Sequence, residues 1–267
     1  MIKSAVTISL VPSLRGGPWI LWDDLQTSCR KAAELGFDGV ELFTAGPAAE
    51  GLDSILQETG LGLAAVGTGA GKVVHGLTLT DPDAAVRNKA QDFIRSMIDF
   101  GAVHGAPAII GSMQGIHGDN RDEALQHLAE GLEALGAHAA SQGVKLIYET
   151  LNRYETNLFN RLADGAEFID GLNTDGVVLL ADLFHMNIEE EDLSEALHSA
   201  ARHVGHVHFA DSNRRPIGNG HLAVAPVAEA LEAIGYKGYV SAEAFDWPDP
   251  DAAARQTITS FRKYFRK

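Results

Sequence analysis

Short apolar runs and longer amphipathic stretches alternate along the chain from one end to the other. The runs Ala5–Leu10, Gly39–Phe43, Leu61–Gly67, Ala106–Gly111, Val144–Tyr148, Val177–Ala181, Gly205–Phe209 and Gly238–Ala242 read as eight buried strands. Between them, segments such as Asp83–His104, Arg121–Gln142 and Ala163–Leu172 carry apolar residues every three or four positions with charges interspersed. That is the spacing of a helix with one buried face. Glycines in ELGFDGV, ETGLGLA, SQGVKL and AIGYKGY stand just ahead of a new strand, where a helix ends and the chain turns back. Strands apolar on both faces need cover on both, so the repeat predicts a parallel sheet wrapped by helices. Eight such units predict closure into an α/β fold, the (β/α)8 TIM barrel, with 1–267 as a single domain. An open doubly wound sheet fits less well, because no GxGxxG follows the first strand. The glycine-rich GTGAGKVVHG at 67–76 lacks the GxxxxGK[ST] spacing of a phosphate-cradling loop and reads as an ordinary loop.

Composition narrows the function classes. Hydrophobic residues at 45% and charged residues at 21% exclude a disordered chain. The 36 acidic residues against 21 Lys plus Arg leave a net charge of −15, which repels phosphate backbones and anionic membrane surfaces. Neither nucleic acid nor membrane is therefore an expected partner. One cysteine, Cys29, cannot form an internal disulfide. No secretory leader opens the chain, and no run approaches the roughly 20 apolar residues of a membrane span, so a cytoplasmic location is expected.

Candidate chemistry collects where polar residues close apolar strands, because barrel active sites lie at the C-terminal strand ends. KLIYE ends on Glu149, VVLLAD on Asp182, VGHVH on His208 and YVSAE on Glu243. These four positions are 33, 26 and 35 residues apart, about one strand–helix unit each, so their side chains can converge on one mouth. A lone acidic residue at a strand end is better explained as a helix cap or ion-pair partner. Four in register favour a divalent metal, and two Glu, one Asp and one His suit Mn²⁺, Mg²⁺ or Co²⁺ better than a thiolate site would. His206 and His208 alternate on their strand and are assigned to opposite faces, so that only one of them can readily face the barrel interior. Asn152, Glu155, His185, Asp211, Asn213 and Arg214 cluster just beyond these strand ends. Each has a bland alternative as a cap or solvated surface residue.

The segments YETLNRYETNLFN, LLADLFHMNIEEED, VGHVHFADSNRRPIGNGHL and IGYKGYVSAEAF together resemble the D-tagatose/D-psicose 3-epimerase family, within the wider xylose-isomerase-like barrel group. Dense from Val144 to Phe245, the resemblance reaches the N-terminal half through general pattern and GFDGVEL. It implies one divalent metal, Mn²⁺ ahead of Mg²⁺, Co²⁺ or Zn²⁺, held by Glu149, Asp182, His208 and Glu243. It also implies Glu149 and Glu243 as catalytic acid and base, and Glu155, His185 and Arg214 as substrate-binding residues. A small sugar is the implied ligand, and a homodimer or homotetramer the implied assembly.

Departures from the family lie over the far end of the sugar, where large aromatics are replaced by ISLVPS and IIGSMQGIHGD. Ser112, Gln114 and His117 are candidates to line that end, Trp19 and Trp22 to wall it, and Arg15, Lys72 or Arg121 to receive a phosphate. Ketose 3-epimerisation leads the expectations, ahead of hydroxypyruvate or other aldose–ketose isomerisation. A dehydratase on the same scaffold, a DNA-lesion endonuclease and a non-catalytic metal protein complete the alternatives. The acidic balance argues against the endonuclease.

Overall fold

The computed structural model describes residues 1–266. Eight parallel strands close into a barrel in chain order: β1 (Lys3–Ser9), β2 (Gly39–Phe43), β3 (Gly62–Gly67), β4 (Ala108–Ile110), β5 (Leu146–Glu149), β6 (Val177–Asp182), β7 (Val204–His208) and β8 (Tyr239–Ala242). Closure is made by β1 against β8, with Lys3 opposite Tyr239 and Val6 opposite Ala242. The eight predicted strands are all present; β2 matches its predicted bounds and the others differ by a residue or two at one or both ends.

Ten α-helices connect and cover them: α1 (Leu25–Leu35), α2 (Leu52–Thr59), α3 (Ala70–Val73), α4 (Ala84–Ala102), α5 (Arg121–Ser141), α6 (Leu162–Asp170), α7 (Leu183–Glu189), α8 (Leu193–Ser199), α9 (Val224–Ala233) and α10 (Pro250–Phe265). In α4 the buried face is Ala90, Ile94, Met97, Ile98 and Gly101, the stripe that its sequence spacing predicts. The Asp83 carboxylate caps its start by accepting from Ala85 N–H. Asn120 caps the start of α5, its Oδ1 accepting from Glu123 N–H while its Nδ2 donates to Glu123 Oε2. Gly36 ends α1 at φ +82°, a left-handed turn that bears out the glycine signal in ELGFDGV. The 67–76 segment is a correction: part of it coils into the short helix α3.

The main core lies between the barrel wall and the helices. A separate, smaller apolar cluster of Ala65, Ile109, Ile147 and Leu180 fills the barrel interior on the β3 to β6 side. Across from it, the interior is polar, with Glu41, His206, His208 and Ser241 all buried. Between β6 and β7 the register slips by one residue, Leu179 facing Val204 and Leu180 facing His206, so that Gly205 is the extra residue. A Cβ on Gly205 would collide with Val178. No helix among the described residues is long and apolar enough to cross a membrane.

Candidate metal and substrate site at the barrel mouth

Glu149 and Asp182 are the last residues of β5 and β6, His208 is the last of β7, and Glu243 follows β8 directly. Their side chains meet. His208 Nδ1 lies 3.3 Å from Asp182 Oδ2, 3.7 Å from Glu149 Oε1 and 3.6 Å from Glu243 Oε2. Asp182 combines two jobs, since its Oδ1 caps α7 by accepting from Phe184 and His185 N–H while Oδ2 faces the cluster. The capping alternative is thus true of one oxygen and leaves the other to the cluster.

The cluster fits a divalent cation. Donor atoms bound at about 2.0–2.2 Å stand about 3 Å apart around an ion, close to the separations seen here. Glu149 Oε1 is buried without a hydrogen-bond partner among the described residues, and Gly111 leaves room for that carboxylate, since a Cβ there would strike Glu149 Oε2. Such an orphaned oxygen is costly unless something positive meets it. Glu149, Asp182 and His185 form one potential metal-holding group, and Asp182, His208 and Glu243 another.

Electrostatics follow from burial. Desolvation, with the neighbouring Glu243 and Asp182 carboxylates, pushes the Glu149 carboxyl well above its ordinary range. Glu243 is also raised by burial, against the pull of Arg214 and His208. Burial disfavours charge on His208, yet the carboxylates of Glu41, Glu243 and Asp182 hold its imidazole protonated well above the usual histidine value. In Asp182 the favourable contacts win, and its carboxyl lies below the ordinary range despite burial, drawn down by His185, His208 and Arg214.

Sequence reasoning missed Glu41. It projects from β2 into the barrel, where Oε1 lies 3.1 Å from His208 Nε2 and Oε2 lies 2.7 Å from His206 Nε2. The one-sided assignment of His206 and His208 is therefore corrected: residues two apart on a strand share a face, and both histidines point inward. A carboxylate accepts only, so His208 donates through Nε2–H and turns Nδ1 towards the cluster. The signal available was a single acid within the apolar run GVELF, in a strand predicted to be covered on both sides.

The three substrate-binding candidates also reach the mouth. His185, in the first turn of α7, is buried; Glu155 is partly open; Arg214 forms an ion pair with Glu243 and lies 4.8 Å over the Phe184 ring. Arg214 adopts φ +57°, an uncommon conformation for a side chain of its size. The Asp211 carboxylate holds its loop by accepting from the N–H groups of Ser212, Gly218 and Leu222.

The adjoining cavity is about 330 Å³. Trp19, Phe43 and Phe245 form much of its outer wall, with Ser112 and Thr68 supplying polar atoms. Trp19 packs on Phe43 at 4.1 Å between ring centres, and Trp22 backs it edge-on from outside the lining. Two other lining candidates are corrected. Gln114 is buried away from the cavity, joining Tyr148 Oη to the carbonyls of Gly111 and Glu149, while His117 is fastened at the surface to Gly118 and Asn157. Arg15, Lys72 and Arg121 are absent from the lining; Arg15 pairs with Asp246 and Arg121 donates to Leu158 O.

A closed parallel barrel with acids and a histidine converging at its C-terminal mouth defines a class of enzyme scaffold, and comparison with known proteins agrees. The family model described as xylose isomerase-like TIM barrel matches residues 29–264. The L-ribulose 3-epimerase of Mesorhizobium japonicum is 32% identical over 232 residues, spanning 83% of this chain and 76% of that protein. The D-psicose 3-epimerase of Agrobacterium fabrum is 30% identical over 246 residues, 87% and 80% of the respective chains. Among solved structures, the 3-keto-D-glucoside 4-epimerase of E. coli superposes with a TM-score of 0.82 at 25% identity, covering 98% of this chain and 100% of that one. The chain belongs to the xylose isomerase-like TIM barrel family, as an enzyme of its sugar isomerase and epimerase group related to the ketose 3-epimerases.

Proposed function

We propose that this enzyme is a divalent-metal-dependent ketose 3-epimerase, with Mn²⁺ ahead of Mg²⁺, Co²⁺ or Zn²⁺, and that Glu149, Asp182, His208 and Glu243 are the metal ligands. The observation that carries it is the gathering of three carboxylate oxygens within 3.7 Å of His208 Nδ1. When bound, the ion supplies Lewis-acid polarisation of the sugar carbonyl and positive charge to offset an enediolate.

Glu149 and Glu243 exchange the C3 proton. They approach from β5 and β8 with β6 and β7 between them, so that one carboxylate removes the proton and the other returns one to the opposite face. Burial raises both carboxyl groups towards neutrality, which suits groups that gain and lose protons in turn. Arg214, Glu155 and His185 orient the sugar's carbonyl and hydroxyl groups. An unphosphorylated sugar is favoured, because among the described residues Arg214 is the one Lys or Arg in the cavity lining and it already faces Glu243, Asp182 and Glu155.

A second reading, epimerisation at C4 of a keto-glycoside, draws on the aromatic outer wall of Trp19, Phe43 and Phe245, which offers a stacking surface to an aglycone. Product analysis in deuterated water with a panel of ketoses, ketose phosphates and keto-glycosides separates the readings. A C3 epimer carrying deuterium at C3 is expected. Deuterium at C4, an aldose product, or loss of water would each replace this proposal with another reaction.

A further inference from the structure

The imidazole of His185 is gripped from the side away from the cavity. Asn152 Nδ2 lies 2.7 Å from His185 Nδ1, and the backbone nitrogen of Asn152 lies 3.3 Å from the same atom. Both Asn152 groups are donors, provided the amide is oriented with its nitrogen towards the ring. Two further contacts establish that orientation. Asn152 Oδ1 accepts from Tyr154 N–H at 2.9 Å, and Nδ2 donates its second hydrogen to Glu155 Oε1 at 3.0 Å. Reversing the amide would set its nitrogen against an N–H and its oxygen against a carboxylate, losing both bonds. Glu155 Oε1 is 3.8 Å from His185 Nδ1, beyond hydrogen-bond reach, and is already served by Asn152.

A ring nitrogen that faces two donors accepts, so Nδ1 carries the lone pair and the proton resides on Nε2. Nε2 points to the cluster, buried and without a hydrogen-bond partner among the described residues, 3.7 Å from Glu149 Oε1 and 3.6 Å from Asp182 Oδ2. A neutral histidine that binds a metal through Nε2 holds its proton on Nδ1, and here Nδ1 has no acceptor for one.

We infer that Asn152 is a positioning residue that locks His185 in the Nε2–H form, so that His185 serves as a neutral hydrogen-bond donor to a substrate oxygen and stays outside the metal's ligand set. The donor is aimed before substrate arrives, and it costs no reorganisation as negative charge grows on that oxygen. The substrate half of this inference rests on the sugar-enediolate reading above; the tautomer does not.

The test is the nitrogen-15 spectrum of imidazole-labelled, Mg²⁺-loaded enzyme, with His185 assigned by its loss in His185→Gln. A pyridine-like Nδ1 and a proton-bearing, pyrrole-like Nε2 are expected. A proton on Nδ1, or an Nε2 without one, overturns the inference whatever sugar the enzyme uses. Asn152→Asp provides the second arm, since a carboxylate of the same shape draws the proton to Nδ1 and removes the donor. About a 10²-fold fall in kcat is expected, the effect of losing one such donor, with little change in KM or Mn²⁺ affinity and with the two nitrogen signals exchanging character. Unchanged kcat in a variant whose tautomer has inverted, or a matching loss of Mn²⁺ affinity, would also overturn it.

Discussion

The two sides of the barrel mouth hold their histidines in opposite ways. On the β7 side, His208 leans its Nε2 on the Glu41 carboxylate and presents Nδ1 to the acidic cluster. On the α7 side, His185 leans its Nδ1 on two N–H groups of Asn152 and presents Nε2. One residue type thus yields, once an ion has displaced the Nδ1 proton of His208, an acceptor on one side and a donor on the other, according to what lies behind the ring. An acceptor suits a cation and a donor suits a developing oxyanion, so the partners behind the rings matter as much as the rings themselves.

Removing what the acceptor side serves has the largest expected effect. Chelation should abolish turnover, with Mn²⁺ or Co²⁺ restoring it; full activity in thoroughly metal-free enzyme would refute the ligand assignment. Glu149→Gln and Glu243→Gln should each lower kcat by about 10²–10⁴-fold, the usual scale for a lost acid–base group. Near-normal rates in either variant would remove that carboxylate from the chemistry.

Glu41→Gln acts behind His208 and its strand neighbour His206, and leaves His185 untouched. Losing such a partner should weaken Mn²⁺ binding by about 10–100-fold in a direct titration, while the nitrogen signals of His185 stay as they are. The same side governs pH dependence. Despite the opposing effect of burial, Glu41 and Glu243 hold the metal-free His208 protonated above its ordinary pKa, so an ion must displace that proton. Affinity should accordingly rise with pH through the neutral range, with proton release measurable on mixing; affinity independent of pH would contradict it. The smallest effect is expected from Gly205→Ala, whose new Cβ meets Val178 just ahead of both strand histidines. A loss of about 1–3 kcal/mol of stability is expected from the overpacking, read by denaturant unfolding, with weaker metal binding and an unaltered His185.

Much of this contrast could be read from the chain, though not all. Barrel strands are apolar on both faces, so eight runs separated by helical periodicity announce the fold, and three acids and a histidine at the ends of four consecutive strands announce the mouth. Glu41 escaped because its partners, His206 and His208, are some 165 residues away in sequence and no local pattern links them. The inward aim of His206 was available from strand geometry and was misassigned. Asn152 stood out only as one polar residue among several after β5; its effect depends on an amide orientation set by Tyr154 and Glu155, which spacing cannot reveal. The distal candidates Gln114, His117, Arg15, Lys72 and Arg121 failed for a related reason. Long polar side chains can turn either way, and here Gln114, His117, Arg15 and Arg121 find partners outside the cavity, while Lys72, on α3, is absent from its lining.

A crystal structure of Mn²⁺-loaded enzyme, with the ion placed by its anomalous scattering, tests the central claim most directly. One peak is expected among Glu149, Asp182, His208 and Glu243, approached by His208 through Nδ1, with His185 Nε2 outside the coordination shell. A peak elsewhere in the barrel, or an ion bound through His185, would contradict the account.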